Sequence, residues 1–168
     1  PIRDVEIINI ELILADLELI ENRLNRIGKK ASMSKDKETK IEFEILSKIK
    51  DALIRNKPAR SVELTKEELK VIKSFNLLTL KPIIYMANIL DEDLINDGIN
   101  NVHVNRLREF AKSENNSVIT VCAKIESELS ELSDEEKLIF LNDLGVKESG
   151  LDKLIKETYN LLGLETFF

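Results

Sequence analysis

The chain has 168 residues, 43% hydrophobic and 33% charged, and so reads as one soluble, helix-rich globular piece with enough apolar residues for a core. No apolar run reaches membrane-spanning length, and the net charge of −6 argues against a chain that coats nucleic acid over its whole surface. One cysteine, Cys122, excludes an internal disulfide framework and fits a reducing cytoplasm; one histidine, His103, is too few for a His-based metal site or a catalytic triad.

In chain order, Ile10, Ile13, Leu17, Ile20, Leu24 and Ile27 follow alternating steps of three and four, the seam of a coiled coil. This predicts a helix from Arg3 to Ile27, stopped by Gly28 and followed by a polar loop, Lys29–Lys37. A second helix carries Phe43, Ile45, Leu46, Ile49, Ala52 and Leu53 and closes at Pro58, so residues 1–60 are expected to form an antiparallel helical arm. Thr65-Lys66-Glu67-Glu68 is a capping box that opens a third helix toward Phe75. A strand at Ile83–Ala87, a polar loop at Asp93–Val102, an amphipathic helix through Val104, Leu107 and Ala111, and a strand at Val118–Val121 make one right-handed βαβ crossover. Three further helices are expected at Lys124–Leu132, from Ser133 to Leu144, and at Ser149–Leu162, with Gly163 after the last. Two parallel strands make no stable sheet alone, so these read as the last strands of a longer doubly wound α/β sheet. The opening Pro1-Ile2-Arg3-Asp4 and the closing Thr166-Phe167-Phe168 fit that expectation of a cut chain.

The two strand-like runs, KPIIYMANILD (Lys81–Asp91) and VITVCAKIE (Val118–Glu126), end in polar or small residues where a parallel sheet presents its loops. An Asn-x-x-Asp in a loop is by itself usually a turn or a cap. Here Asn88-Ile89-Leu90-Asp91 follows one strand and Cys122-Ala123-Lys124 follows the next, which resembles the purine-base loops of P-loop GTPases. The resemblance implies that Asn88 contacts the purine and buttresses the loop. Asp91 would accept the N1–H and 2-amino protons of guanine, and Cys122–Lys124 would offer backbone N–H groups and a lysine stem. Ile89 occupies the position of the GTPase lysine, so Ile89→Lys is expected to move preference toward GTP. The phosphate-holding G-x-x-x-x-G-K-[ST] is absent. The expected fold is therefore a partial P-loop NTPase, its last two parallel strands with flanking helices, carrying an antiparallel coiled-coil hairpin. Residues 61–168 would be the C-terminal half of the nucleotide-binding domain. Cys122 reads as a small buried residue and His103 as a surface or capping one. Glu126, Glu128, Glu131 and Asp134–Glu136 read as solvated helix faces and caps.

ELILADLE (Glu11–Glu18), the E-x-R-L of Glu21–Leu24 and LLTLKPIIYMANILDED (Leu77–Asp93) resemble the Obg-like ATPase family, also called YchF. The run from Val121 to Ile155 and YNLLGLETFF (Tyr159–Phe168) extend the likeness to essentially the whole chain. The resemblance implies a ribosome-associated ATPase whose P-loop domain carries a coiled-coil arm and is followed by a TGS domain. It places the P-loop, the switches and the magnesium ligands upstream of Pro1 and the TGS domain beyond Phe168. ATP or GTP with magnesium would be bound by the parent protein, with the chain alone inactive. This family carries Glu where Asp91 stands, a departure that weakens the case for ATP over GTP, while backbone contacts from Ile89, which suit the adenine 6-amino group, keep ATP ahead.

Lys29, Lys30, Lys35, Lys37 and Lys40 gather at the expected arm tip on an otherwise acidic chain. They read either as a solvated turn or as a contact for ribosomal RNA through its phosphates, without aromatic residues for base stacking. Two competing readings are a non-enzymatic helical-hairpin adaptor and an RNA- or ribosome-binding module.

Overall fold

A computed structural model describes residues 1–33 and 37–164, with the backbone alone for 29–33. The chain divides into two compact units, Arg3–Pro82 and Pro1–Ile2 with Ile83–Phe168. Among the described residues no helix is long and apolar enough to cross a membrane.

In the first unit α1 (Ile2–Met33) and α2 (Lys37–Ile54) are antiparallel helices. Ile13, Ile20 and Ile27 on α1 meet Ile45, Leu46, Ile49 and Leu53 on α2 in one buried cluster, with Leu17, Leu24 and Phe43 partly buried beside it. Ion pairs flank this seam at Arg23–Glu42 (2.5 Å) and Lys50–Glu21 (2.9 Å). Two expectations are corrected. Ile10 is 45% exposed rather than part of the seam. Gly28 does not end α1, because it is not among the left-handed glycines (Gly98, Gly145 and Gly163) through which a helix normally stops. A Cβ at Gly28 would lie 3.7 Å from the Phe43 ring, so the small residue sits where the partner helix comes close. Most of the expected loop Lys29–Lys37 is consequently helix.

The unit extends past residue 60. After α2, a 3-10 turn at Ala59–Ser61, the capping-box helix α3 (Lys66–Ile72) and 3-10 turns at Lys73–Phe75 and Leu78–Leu80 fold together. Ala59, Ile72 and Leu77 join the buried cluster of the arm helices. The fastening is polar. Asp16, 2% exposed, accepts hydrogen bonds from the backbone N–H of Leu78 (2.8 Å) and Thr79 (2.7 Å) and from the Thr79 hydroxyl (2.7 Å). That hydroxyl in turn accepts from the Ala59 N–H at 2.9 Å.

In the second unit β1 (Ile84–Asn88) and β2 (Ser117–Val121) pair in parallel, Ile84 opposite Ser117 and Asn88 opposite Val121. The crossover runs through the short α4 (Asp91–Leu94) and α5 (Val102–Ser113), which packs on both strands. Asn101 caps α5 by accepting from the N–H groups of His103 and Val104, leaving His103 an exposed residue of the first turn. Then follow α6 (Ala123–Ser130), α7 (Asp134–Asp143) and α8 (Gly150–Leu162), the last packed on β2. The Ser133–Glu136 capping box and the left-handed Gly163 stand where the sequence puts them.

Candidate base-recognition site

Parallel pairing delivers both strand C-termini to one end of the sheet, so Asn88–Asp91 and Cys122–Lys124, more than thirty residues apart in sequence, become neighbours. Three bonds lock the two loops. The Ile89 N–H donates to the Val121 carbonyl at 2.8 Å. The Ala123 N–H donates to Asn88 Oδ1 at 3.1 Å, and Lys124 Nζ bonds Asp91 Oδ2 at 3.1 Å.

With Oδ1 holding the second loop, the Asn88 amide keeps its two N–H donors for a ligand acceptor. The Ala123 N–H is already used and is not free for a base. The hydrogen bond from Lys124, and then its charge, hold the Asp91 carboxyl below the usual carboxylate range, while Asp91 raises Lys124 in the same way. Asp91 is thus an acceptor-only group at neutral pH. Both side chains stand in water, so their pair is an adjustable contact rather than a structural anchor.

The Ile89 side chain faces inward. Ile89 is 8% exposed and packs with Leu94, Val104, Cys122 and Ile125 in the core of the unit. With its N–H held by Val121, only its backbone carbonyl is left for a base. Ile89→Lys would place an ammonium among these apolar groups, so it is a stability lesion and not a clean exchange of base preference. Cys122 is buried in the same cluster, at the position before α6, and its carbonyl accepts from the Glu126 N–H.

A polar cluster that sequence reading missed supports the crossover. Asp97, in a left-handed turn, takes Arg108 Nη2 on both its backbone carbonyl and Oδ2 (2.7 Å each), Lys153 Nζ on Oδ1 at 2.7 Å, and the hydroxyl of the buried Thr120. Burial opposes the Asp97 charge, but hydrogen bonds from Lys153 and Thr120 and the nearby positive charges hold its carboxyl below the usual range. Four segments of chain meet at this one side chain.

The arm-tip lysines are only partly visible. Lys37 and Lys40 are exposed near the start of α2, and Lys29 and Lys30 lie on the helical backbone of α1. Lys35 lies outside the described residues, as do the side chains of Lys29 and Lys30. Among the described residues no three His, Cys, Asp or Glu side chains come together as a metal site would need.

No protein-family model matches the chain. The Ribosome-binding ATPase YchF of Bacillus subtilis is 56% identical over 168 residues, that of Haemophilus influenzae 47% over 169, and that of Escherichia coli O157:H7 40% over 169. Each match takes in 100% of this chain and 45% of the relative. A solved structure of the YchF GTPase of Schizosaccharomyces pombe matches with a TM-score of 0.83 at 29% identity, over 96% of this chain and 44% of that one. The matches run over the whole or nearly the whole of this chain, arm and parallel strand pair alike, and the chain belongs to the YchF family, spanning a little under half the length of the curated relatives it matches.

Proposed function

We propose that this chain supplies the purine-base loops and a helical interaction arm of a cytoplasmic nucleoside-triphosphatase that works at the ribosome. The observation that carries this reading is the lock between the two loops, Asn88 to Ala123 and Asp91 to Lys124. It gathers polar groups of the right kind at the carboxyl end of a parallel strand pair, where α/β folds place their ligands. The names of the relatives, ribosome-binding ATPases, supply the hydrolase and the partner. Residues 1–60 would be the arm and 61–168 the C-terminal half of the nucleotide-binding domain, of which the stretch to Pro82 packs with the arm and fastens its base. Asn88, Ile89 (through its backbone carbonyl), Asp91 and Lys124 would face the base, with Cys122 and Ala123 forming the turn that Asn88 holds. Magnesium and the phosphate cradle belong to the rest of the parent protein. Lys37 and Lys40, with Lys29, Lys30 and Lys35, would meet ribosomal RNA through its phosphates.

ATP is the substrate of this reading. Asp91 favours a second, GTP: an ionised carboxylate accepts the N1–H and 2-amino protons of guanine but opposes the N1 lone pair of adenine. A competition between ATP and GTP in the full-length protein tests both. Asn88→Ala is expected to weaken both nucleotides by about tenfold, since it frees the second loop as well as removing a donor. If Asp91 reads guanine, Asp91→Ala lowers GTP affinity by roughly five- to a hundred-fold and spares ATP. Unchanged affinities in both variants would remove these residues from the base site.

The 168-residue chain alone is expected to hydrolyse neither nucleotide and to bind both poorly, because backbone cradles supply much of the affinity for phosphate. Calorimetry is the check. Micromolar or tighter ATP binding to this chain would contradict the division of labour.

A further inference from the structure

Four consecutive apolar residues, Leu138 to Leu141, run through the ten-residue helix α7. At about 100° per residue they occupy most of the helix circumference, so no single packed face can bury them all. Leu141 is buried and Phe140 is partly buried in the core, whereas Leu138 is 70% and Ile139 63% exposed. Leu138 has apolar company. With Leu129, Leu141 and Leu151 it lines a groove of about 370 Å³ formed by α6, α7 and the start of α8. Leu151 is itself 58% exposed. The start of α8 is held by Glu126, which accepts from the N–H groups of Gly150 (2.6 Å) and Leu151 (3.3 Å). Only glycine fits there, since a Cβ at position 150 would lie 2.6 Å from Val121.

The rim of the groove is acidic. Asp134 and Asp152 join Glu126 around it, against one lysine, Lys137, which is paired with Asp134 at 3.2 Å. The surroundings have the same sign: Ala123–Asp152 holds nine acidic and three basic residues, an excess of six that equals the net charge of the whole chain. The remainder of the molecule is neutral in sum, so its negative field originates in this segment.

We propose that this groove receives a short basic amphipathic segment of a protein partner. One or two apolar side chains of that segment would sit against Leu129, Leu138 and Leu151, with lysine or arginine beside Asp134 and Asp152. The sign of the rim turns away nucleic acid and anionic lipid. A two-fold pairing with a second copy would bring one acidic face against its like. The apolar floor supplies affinity and the rim supplies sign selection and encounter rate. The groove shares no lining residue with the base loops.

The test titrates a fluorescein-labelled amphipathic peptide of leucine and lysine into the full-length protein, followed by anisotropy, with a leucine–glutamate peptide as control. The lysine peptide is expected to bind and the glutamate peptide not to. Leu138→Ser with Leu151→Ser should weaken the lysine peptide by about tenfold or more, and Asp134→Asn with Asp152→Asn by about three- to ten-fold. The leucines are largely exposed, so the double variant should retain its helical circular dichroism and its nucleotide affinity. Methyl resonances of Leu129, Leu138 and Leu151 should move on peptide addition in the wild type. Equal binding of both peptides, or lysine-peptide binding that the serine variant leaves intact, would overturn the proposal. So would concentration-dependent self-association that the same variant abolishes, since the occupant would then be a second copy.

Discussion

Asp16→Ala is expected to destabilise the unit Arg3–Pro82 by about 3–5 kcal/mol, more than most single substitutions in this chain. The carboxylate accepts three hydrogen bonds, from the N–H of Leu78, the N–H of Thr79 and the Thr79 hydroxyl, and is almost wholly removed from water. Each donor stranded without an acceptor costs roughly 1–3 kcal/mol. The Thr79 hydroxyl is already committed as acceptor to Ala59, so its reorientation would disturb a second segment. Asp16→Asn keeps one oxygen but turns an N–H₂ toward N–H donors, and should recover less than half of the loss. Urea denaturation followed by helical circular dichroism measures both. A change below about 1 kcal/mol in Asp16→Ala would mean that water replaces the carboxylate at little cost. Coupling between Asp16→Ala and Thr79→Val should be strongly non-additive, because both remove parts of one network.

Truncating the arm seam is the second large effect. Ile20→Ala and Ile49→Ala should each cost about 3–4 kcal/mol, since both side chains are fully buried in a two-helix interface with little room to collapse. Leu17→Ala and Leu24→Ala, partly buried at the edge of the same cluster, should cost about 1–2 kcal/mol. Leu14→Ala, on the exposed side of α1, should stay within about 0.5 kcal/mol. The same denaturation experiment orders the series. Equal losses at Ile20 and Leu14 would show that α1 does not present one face to α2.

The strand pair, the caps and the arm were legible because each rests on local pattern. A short apolar run, a capping box and a three-four repeat are visible within a dozen residues. What sequence hid depends on partners far along the chain. Asp16 within LADLE looks like a solvent-facing acid between apolar neighbours, and its acceptor role requires Leu78 and Thr79, 62 and 63 residues later. Gly28 looks like a stop because local propensity says so, yet tertiary contact with Phe43 accompanies continued helix. Ile89 looks like a base-facing residue through its motif position, while the pleat and the apolar cluster turn it inward. The meeting of the Asn88 and Lys124 loops was legible, because parallel topology alone puts both strand ends together. The partner each side chain chooses there, Ala123 for Asn88 and Lys124 for Asp91, was not.

The spacing of Ile13, Ile20 and Ile27 makes the arm a ruler graduated in heptads, each mark about 10.5 Å apart. A one-residue insertion in α1 between two of these isoleucines would swing everything beyond it by about 100° and carry the next isoleucine out of the seam. Seven residues added to α1 and seven to α2 would instead restore the alignment one mark further out. Natural variation in reach should therefore occur in paired steps of seven, and an engineered arm can be lengthened or shortened in that increment while its base stays fastened through Asp16.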